Sequence, residues 1–470
     1  MITGKLEKGL CYIEKRIAII SFCVRSAIYS VNMIILFNYL LVLNVFLGGF
    51  VLFASPFEFY VGYIFILAFL TMYVFHYHNI GINSKFLITL IAVTFFSLVN
   101  VYLENTTLAL MGKQALGILV TGMAYYLLIK INKYEIDELF RIYLRIAFVV
   151  ASIGIFQEFS FLVGFENGYD YSAIIPKWGF RTTTLGVLRV NSILPEPSHF
   201  AISMAPAFFV SLLSVLKNNS FYLNKKGSML VIISYVLTFS AVAYIAIIIS
   251  LLLIYSNAKR IRHLLFAAII IFSSIFLTYR YIPEIRMRVD DTLGVATGSI
   301  DIATANVSTF TLASNAFVAY DSFKNSPLFG RGLGSHPISY DKFVSSVSGD
   351  VIFLEGTAKL NKDDANSLFL RLASETGLFG IIVALYFLFK FRLKNSDNEN
   401  LQVISNAIFT IFIISLLRQG HYFYNGFFFF VWLYYFAYRI YNGPQYVRWL
   451  NKLYLRDRKR TFTVRPKHCG

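Results

Sequence analysis

The sequence predicts an all-α polytopic membrane protein of about twelve transmembrane segments with two long outer loops. Three observations predict it. Of the 470 residues, 57% are hydrophobic and 14% charged, where an ordinary soluble domain carries about 25% charged residues. Apolar runs of about 17 to 25 residues recur between short polar loops. These runs are apolar all round, whereas a soluble helix bundle needs polar faces at period 3.6.

The expected spans lie at about 32–54, 57–75, 85–103, 109–130, 143–165 and 199–217, then 263–281, 366–390, 402–418 and 424–441. The run "MLVIISYVLTFSAVAYIAIIISLLLIY", 229–255, has basic residues on both flanks yet is too short for two full spans at about 1.5 Å per residue. Two short helices meeting near Thr238 and Ser240 reconcile length with charge, since broken helices survive where protein covers them. A single tilted span is the alternative. The pair gives six regions: N-terminal helices 1–165, an outer loop 166–198, helices 199–281, a large outer loop 282–365, helices 366–441 and a basic tail 442–470.

The net charge of +17 does not point to nucleic acid. The basic residues gather in "KLEKGLCYIEKR", "KINKYEIDELFR", "LNKKGS", "NAKRIRH", "KFRLKNSD" and the tail. All of these can lie on one side, which puts both termini in the cytoplasm, beside anionic lipid headgroups. Cys11, Cys23 and Cys469 fall at expected cytoplasmic ends, so no disulfide framework is expected. No cleavable leader is expected either. In the large outer loop, "STFTLASNAFVAYDSFKNSPLFGRGLGSH" spaces apolar residues as an amphipathic helix lying at the membrane surface, followed by a glycine turn.

Chemistry concentrates in four places. In "RVNSILPEPSHFA", Pro195 and Pro197 stiffen the backbone around Glu196. Desolvation at a membrane boundary would suit that carboxylate to act as a general base. A helix-start residue offsetting the dipole of the 199–217 helix is the bland alternative. His199 beside it is a candidate for substrate contact. Arg181, Arg189, Arg331, Arg371 and Arg418 all fall in or beside the outer loops, where guanidinium groups can grip phosphate oxygens; singly, each can instead be snorkelling to headgroups. Asn366, Arg371 and Glu375 sit at the outer part of a span, where polar residues are costly, although Arg371 and Glu375 can simply pair across a helical turn. In "RQGHYFYNG", Arg418, His421 and Tyr422 come together, and His421 is a candidate for proton transfer. The sequence has no Walker loop, GxSxG, HExxH or Cys–His metal spacing. Asp290–Asp291 and Asp363–Asp364 read as solvated or capping acids, and no metal or cofactor is expected.

The series "R…N…EPSHFA", "SPLFGRGLGS" and "DANSLFLRLASETGLFG" resembles bacterial O-antigen polymerases of the Wzy type, relatives of the O-antigen ligases and other GT-C-like glycosyltransferases. The motif match is confined to about 181–425. The resemblance implies polymerisation of undecaprenyl-pyrophosphate-linked oligosaccharide repeats at the periplasmic face of the inner membrane, without nucleotide sugar or metal. It also implies a chain-length-regulating co-polymerase as partner. O-antigen ligases commonly show His-Asn where this chain has Ala365-Asn366, which weakens a ligase reading and leaves Glu196 or His421 as proton acceptor. Arg189, Arg331 and Arg418 are the first choices for the pyrophosphate, with Arg181 and Arg371 behind them and Tyr422 available to stack on a sugar. A ligase and a lipid-linked oligosaccharide transporter are the competing readings. A transporter would gather its polar groups near the midplane, often within paired repeats.

Overall fold

The computed structural model describes residues 32–55, 57–77, 81–183, 186–218, 221–255, 279–344, 361–394 and 396–443, with isolated positions between 269 and 276. It is mostly helical. Six helices are long and apolar enough to cross a membrane: α3 (Ser84–Tyr102), α4 (Leu108–Ile131), α5 (Ile136–Leu162), α7 (Pro197–Lys217), α13 (Leu368–Lys390) and α14 (Glu399–Arg418). Shorter apolar helices are α1 (Asn32–Phe46), α2 (Val61–Tyr77) and α9 (Ala241–Tyr255). Also short are α6 (Glu166–Tyr169), α8 (Lys225–Val236) and α15 (Phe427–Tyr441). The expected span 263–281, the basic tail and the three cysteines lie outside the described residues or almost so.

α7 and α14 are the axis of the bundle, with 78% and 72% of their apolar windows buried, whereas α3 at 11% is peripheral. Pro206 interrupts α7, since it has no N–H to donate. The Tyr143 hydroxyl of α5 repairs the gap, donating to the Ser203 carbonyl at 2.7 Å and accepting from the Ala207 N–H at 3.3 Å.

Two expectations need correction. The first span does not run to residue 54. α1 ends at Phe46, and an antiparallel pair β1 (Val51–Phe53) and β2 (Phe59–Tyr60) follows. Gly48 and Gly49 end the helical run, and the aromatic, β-prone stretch after them pairs with itself. The helix expected before Gly330 does form, as α11 (Val307–Asn325), preceded by α10 (Pro283–Thr297) and followed by α12 (His336–Phe343). However, the buried face of α11 mixes Thr309, Thr311, Ser314, Asn315 and Ser322 with Phe310, Val318 and Ala319 and packs on α13. It is held against the bundle by a mixed polar and apolar face.

The 229–255 run is two short helices, as length and charge required. α8 ends at Val236 and α9 begins at Ala241, with Thr238 and Ser240 buried between them. The outer loop reaches down to the break, and Val190 N–H donates to the Leu237 carbonyl at 3.0 Å. A second break, in α13, was not expected. Gly377 leaves the helical region at φ 59°, ψ −152°. The segment Pro327–Gly332 lies against the opened turn. Leu378 and Phe379 donate to the carbonyls of Pro327 and Leu328 at 2.8 and 3.0 Å, and Arg331 and Gly332 donate to those of Ser374 and Glu375 at 3.0 and 2.9 Å. The two backbones approach so closely that a Cβ on Gly330 would stand 2.4 Å from the Glu375 carbonyl carbon.

Candidate functional site

The loops 166–198, 299–306, 361–367 and 419–426 meet at one end of the bundle, and the titratable side chains converge there. Asp364 is their hub. It is 8% exposed, accepts from Asn366 N–H at 3.0 Å and stands 3.4 Å from His421 Nε2. Its charge also acts on Tyr60, His199, Arg371 and Arg418. The packing that makes this possible is tight: a Cβ on Gly420 would fall 1.4 Å from the Asp364 carbonyl oxygen, so the residue before His421 has to be glycine. Asn361, Ala365 and Asn366 all hold positive φ, 56° to 58°, a conformation that costs energy in non-glycine residues and recurs at functional sites.

Glu196 caps α7 with an extended backbone, φ −145° and ψ 159°, while its carboxylate makes no capping bond. The carboxylate is exposed at the first turn of α7, the helix-start position that the alternative reading gives it. Its charge acts on both His199 and Arg418. Arg418, the last residue of α14, donates to Ser308 Oγ at 2.9 Å, tying α14 to the start of α11. Arg371 is 1% exposed and pairs with the fully buried Glu375 at 3.0 Å, which is the bland alternative the spacing allowed. It does more than that, since Nη1 donates to the Gly420 carbonyl at 3.0 Å and the guanidinium lies 4.5 Å from the centroid of the Tyr422 ring. Arg371 therefore holds the loop that carries His421. Asn366 is buried beside Asp364, and its Nδ2 has no hydrogen-bond partner among the described residues.

Three of the expected arginines go elsewhere. Arg181 is exposed on a short loop bridge. Arg189 turns to the α8–α9 break, with Nε 3.5 Å from the Thr238 carbonyl. Arg331 lends its backbone to the strap across α13, while its guanidinium lies 5.5 Å from the Phe343 ring. Burial pulls Arg331 below its ordinary value.

Several participants escaped the sequence reading. Asp364 was read as solvated or capping; it does cap Asn366, but it is also the buried centre of the group. Asp291 is capping alone, held below the usual carboxylate range by the backbone and side-chain amides of Asn306. Glu58 and Lys177 form an ion pair, and Tyr60 donates to Glu58. Burial opposes ionisation of Glu58, but the hydrogen bonds from Lys177 and Tyr60 outweigh it and hold the carboxyl below its ordinary value. His421 keeps part of its ring open, and desolvation still pushes it below the usual histidine value against the pull of Asp364. A neutral ring of this kind can accept a proton.

Beside the site, a cavity of about 600 Å³ runs along α13 from Leu368 to Phe391. Its walls include Phe86, Leu90, Ile118, Leu372 and Trp432, and Tyr422 stands at the end nearest the charged group. Among the described residues no group of His, Cys, Asp and Glu has the make-up of a metal site. No protein-family model matches the chain, and no curated protein matches it in sequence.

Proposed function

We propose that this protein is a membrane glycosyltransferase that polymerises undecaprenyl-pyrophosphate-linked oligosaccharide repeats at the periplasmic face of a bacterial inner membrane. The proposal includes a twelve-segment GT-C-like bundle, both termini in the cytoplasm, and a co-polymerase partner. One observation carries it. A group of cations, histidines and carboxylates around Asp364 opens at one end of the bundle, and directly beside it an apolar cavity follows a helix of membrane-spanning length. A headgroup site next to a greasy slot suits a pyrophosphate on a long isoprenoid chain.

In this reading the donor's C1–O bond to the pyrophosphate breaks and the bonding pair leaves with the lipid pyrophosphate. Arg418 takes up the negative charge that develops, a contribution of several kcal/mol in a water-poor site. Arg371 supports it by fixing Gly420 and Tyr422. The hydroxyl of the second repeat attacks C1 and gives its proton to His421, oriented by Asp364; Glu196 is the other acceptor within the group. Such general-base help is typically worth about 10² to 10⁴ in rate. His199 and Asn366 contact substrate. Arg181, Arg189 and Arg331 have lesser parts than the sequence suggested, because Arg181 is exposed and the guanidinium groups of Arg189 and Arg331 turn to Thr238 and Phe343.

The test is incubation of purified protein with a lipid-linked repeat unit, followed by a gel. A ladder of lengthened lipid-linked products is expected. Transfer only to lipid A–core would make the protein a ligase, and no glycosyl transfer, with the repeat moved across proteoliposomes, would make it a transporter.

A further inference from the structure

We propose that the polar face of the β1–β2 hairpin, with Lys177, is a saccharide-binding wall of this site, taking the repeat whose hydroxyl attacks. The inference rests on the proposed function, since it names where one substrate's sugars lie.

The hairpin has two faces because strand residues alternate. Phe57 and Phe59 share one face with Phe53: Phe53 and Phe59 stack at 5.0 Å between centroids with 9° between planes, and Phe57 meets both at 6.1 and 6.3 Å. Phe53 and Phe57 are 46% and 41% exposed. An aromatic cluster of that kind belongs at the membrane–water boundary. Glu58 and Tyr60 share the opposite face, which turns to the charged group. That direction does not depend on the pairing register. Lys177, bonded to Glu58, sits two residues before Gly179, whose N–H donates to the Pro195 carbonyl at 2.9 Å, next to Glu196. The charge of Glu58 acts on His421, and that of Asp364 on Tyr60.

The chemistry of this face is that of a sugar site. A pyranose offers an apolar C–H face and a rim of hydroxyls that both donate and accept. Here the Tyr60 ring, set edge-on to Tyr63 at 5.6 Å and 83°, supplies the flat partner. The Glu58 carboxylate accepts from hydroxyls and the Lys177 ammonium donates to them. Apolar rings with a few convergent polar groups are the usual make-up of a small-ligand site. A headgroup phosphate is the poorer fit, because the wall sets a carboxylate beside its one ammonium.

The probe is the oligosaccharide repeat released by mild acid from the source organism's own surface polysaccharide, titrated into the detergent-solubilised full chain. We expect saturable binding by the wild type, weakened about tenfold or more in Tyr60→Ala and in Glu58→Gln, with KM for the acceptor rising and kcat nearly kept. Phe53→Ser and Phe57→Ser, on the other face, should bind the oligosaccharide as the wild type does while inserting less well into liposomes. If the wild type does not bind the oligosaccharide, or if the Tyr60 and Glu58 variants bind it normally, the inference falls, whatever the ladder assay gives. If the wild type binds it, loses it in those variants and yet makes no ladder, the saccharide wall stands and the polymerase reading falls.

Discussion

The two broken helices of this bundle are repaired by the same device to very different degrees. At the α8–α9 break a single backbone bond, Val190 to Leu237, reaches the gap, and the lining is hydroxyl groups, Thr238 and Ser240. At the break in α13 four backbone bonds from Pro327–Gly332 close the opened turn, and the same turn carries a buried Arg371–Glu375 pair. Irregular backbone at membrane depth is tolerated where protein covers it. The first break is covered well enough to allow a short helix pair. The second is held in one arrangement, as befits a turn that fixes the His421 loop.

The contrast also separates what the sequence could tell from what it could not. The α8–α9 break was legible because 27 apolar residues flanked by basic charge are too short for two full spans, so a pair of short helices reconciles length with charge better than one tilted span does. The break in α13 was not legible, because residues 366–390 read as an uninterrupted span and the strap that forces Gly377 out of the helix lies some fifty residues earlier in the chain. Gly330 and Gly377 were visible as glycines; that their backbones face each other was not. The site followed the same rule. Glu196, His199, Arg371 and Arg418 stand together because each lies in the first or last turn of a helix at the looped end, and Asn366, His421 and Tyr422 sit in the loops that join those helices. Arg189 and Arg331 share the loops but turn to Thr238 and Phe343, and a loop's side-chain directions are not written in its spacing. Asp364 was discounted on composition, since adjacent acids are usually solvated. Only the approach of Gly420 buries it.

Five substitutions sharpen the comparison. Arg371→Met should cost about 3–5 kcal/mol by stranding the Glu375 charge. The double variant Arg371→Met with Glu375→Leu should recover most of that in thermal unfolding while activity stays lost. If the double variant keeps full activity, Arg371 has no part in setting the His421 loop. Gly330→Val should cost on the order of 3 kcal/mol, since φ is +65° and the new side chain meets backbone. A variant as stable as the wild type would mean that the strap does not hold the turn.

His336 fastens the same region. It is fully buried between Asn315 Oδ1, 3.0 Å from Nε2, and Ser374 Oγ, 2.9 Å from Nδ1. Asn315 donates its own amide to the Thr311 carbonyl at 2.7 Å, so its oxygen faces the ring and Nε2 carries the proton, while the Ser374 hydroxyl beside Nδ1 also reaches the Arg371 carbonyl at 3.2 Å. Burial, helped by the Arg371 charge, pushes His336 down to about 3 from its ordinary 6.5. As pH falls below 6.5 the unfolded chain takes up a proton that the folded chain refuses, so this contribution to stability is complete above 6.5 and is lost toward pH 3. Unfolding scans between pH 7 and 4 should show a loss on the order of 2–3 kcal/mol attributable to this ring, and His336→Gln should flatten that part of the curve. An unchanged slope in the variant would remove the ring from the account.

The smallest effect belongs to the other break. Thr238→Val removes the hydroxyl that donates to the Tyr235 carbonyl at 2.8 Å and accepts from the Ser240 N–H at 3.4 Å, and should cost about 1 kcal/mol, with activity kept. A loss as large as that of Gly330→Val would erase the distinction between the two breaks.

The most direct measurement is the rate of glycosyl transfer from a lipid-linked repeat by purified wild type and by Asp364→Asn, with folding of both checked by thermal unfolding. Asparagine keeps the shape and can still accept from Asn366, but it removes the charge at the centre of the group. A fall of about 10² or more in rate, with the fold intact, is the predicted result. Asp364→Asn making product at the wild-type rate would contradict the assignment of the reacting centre.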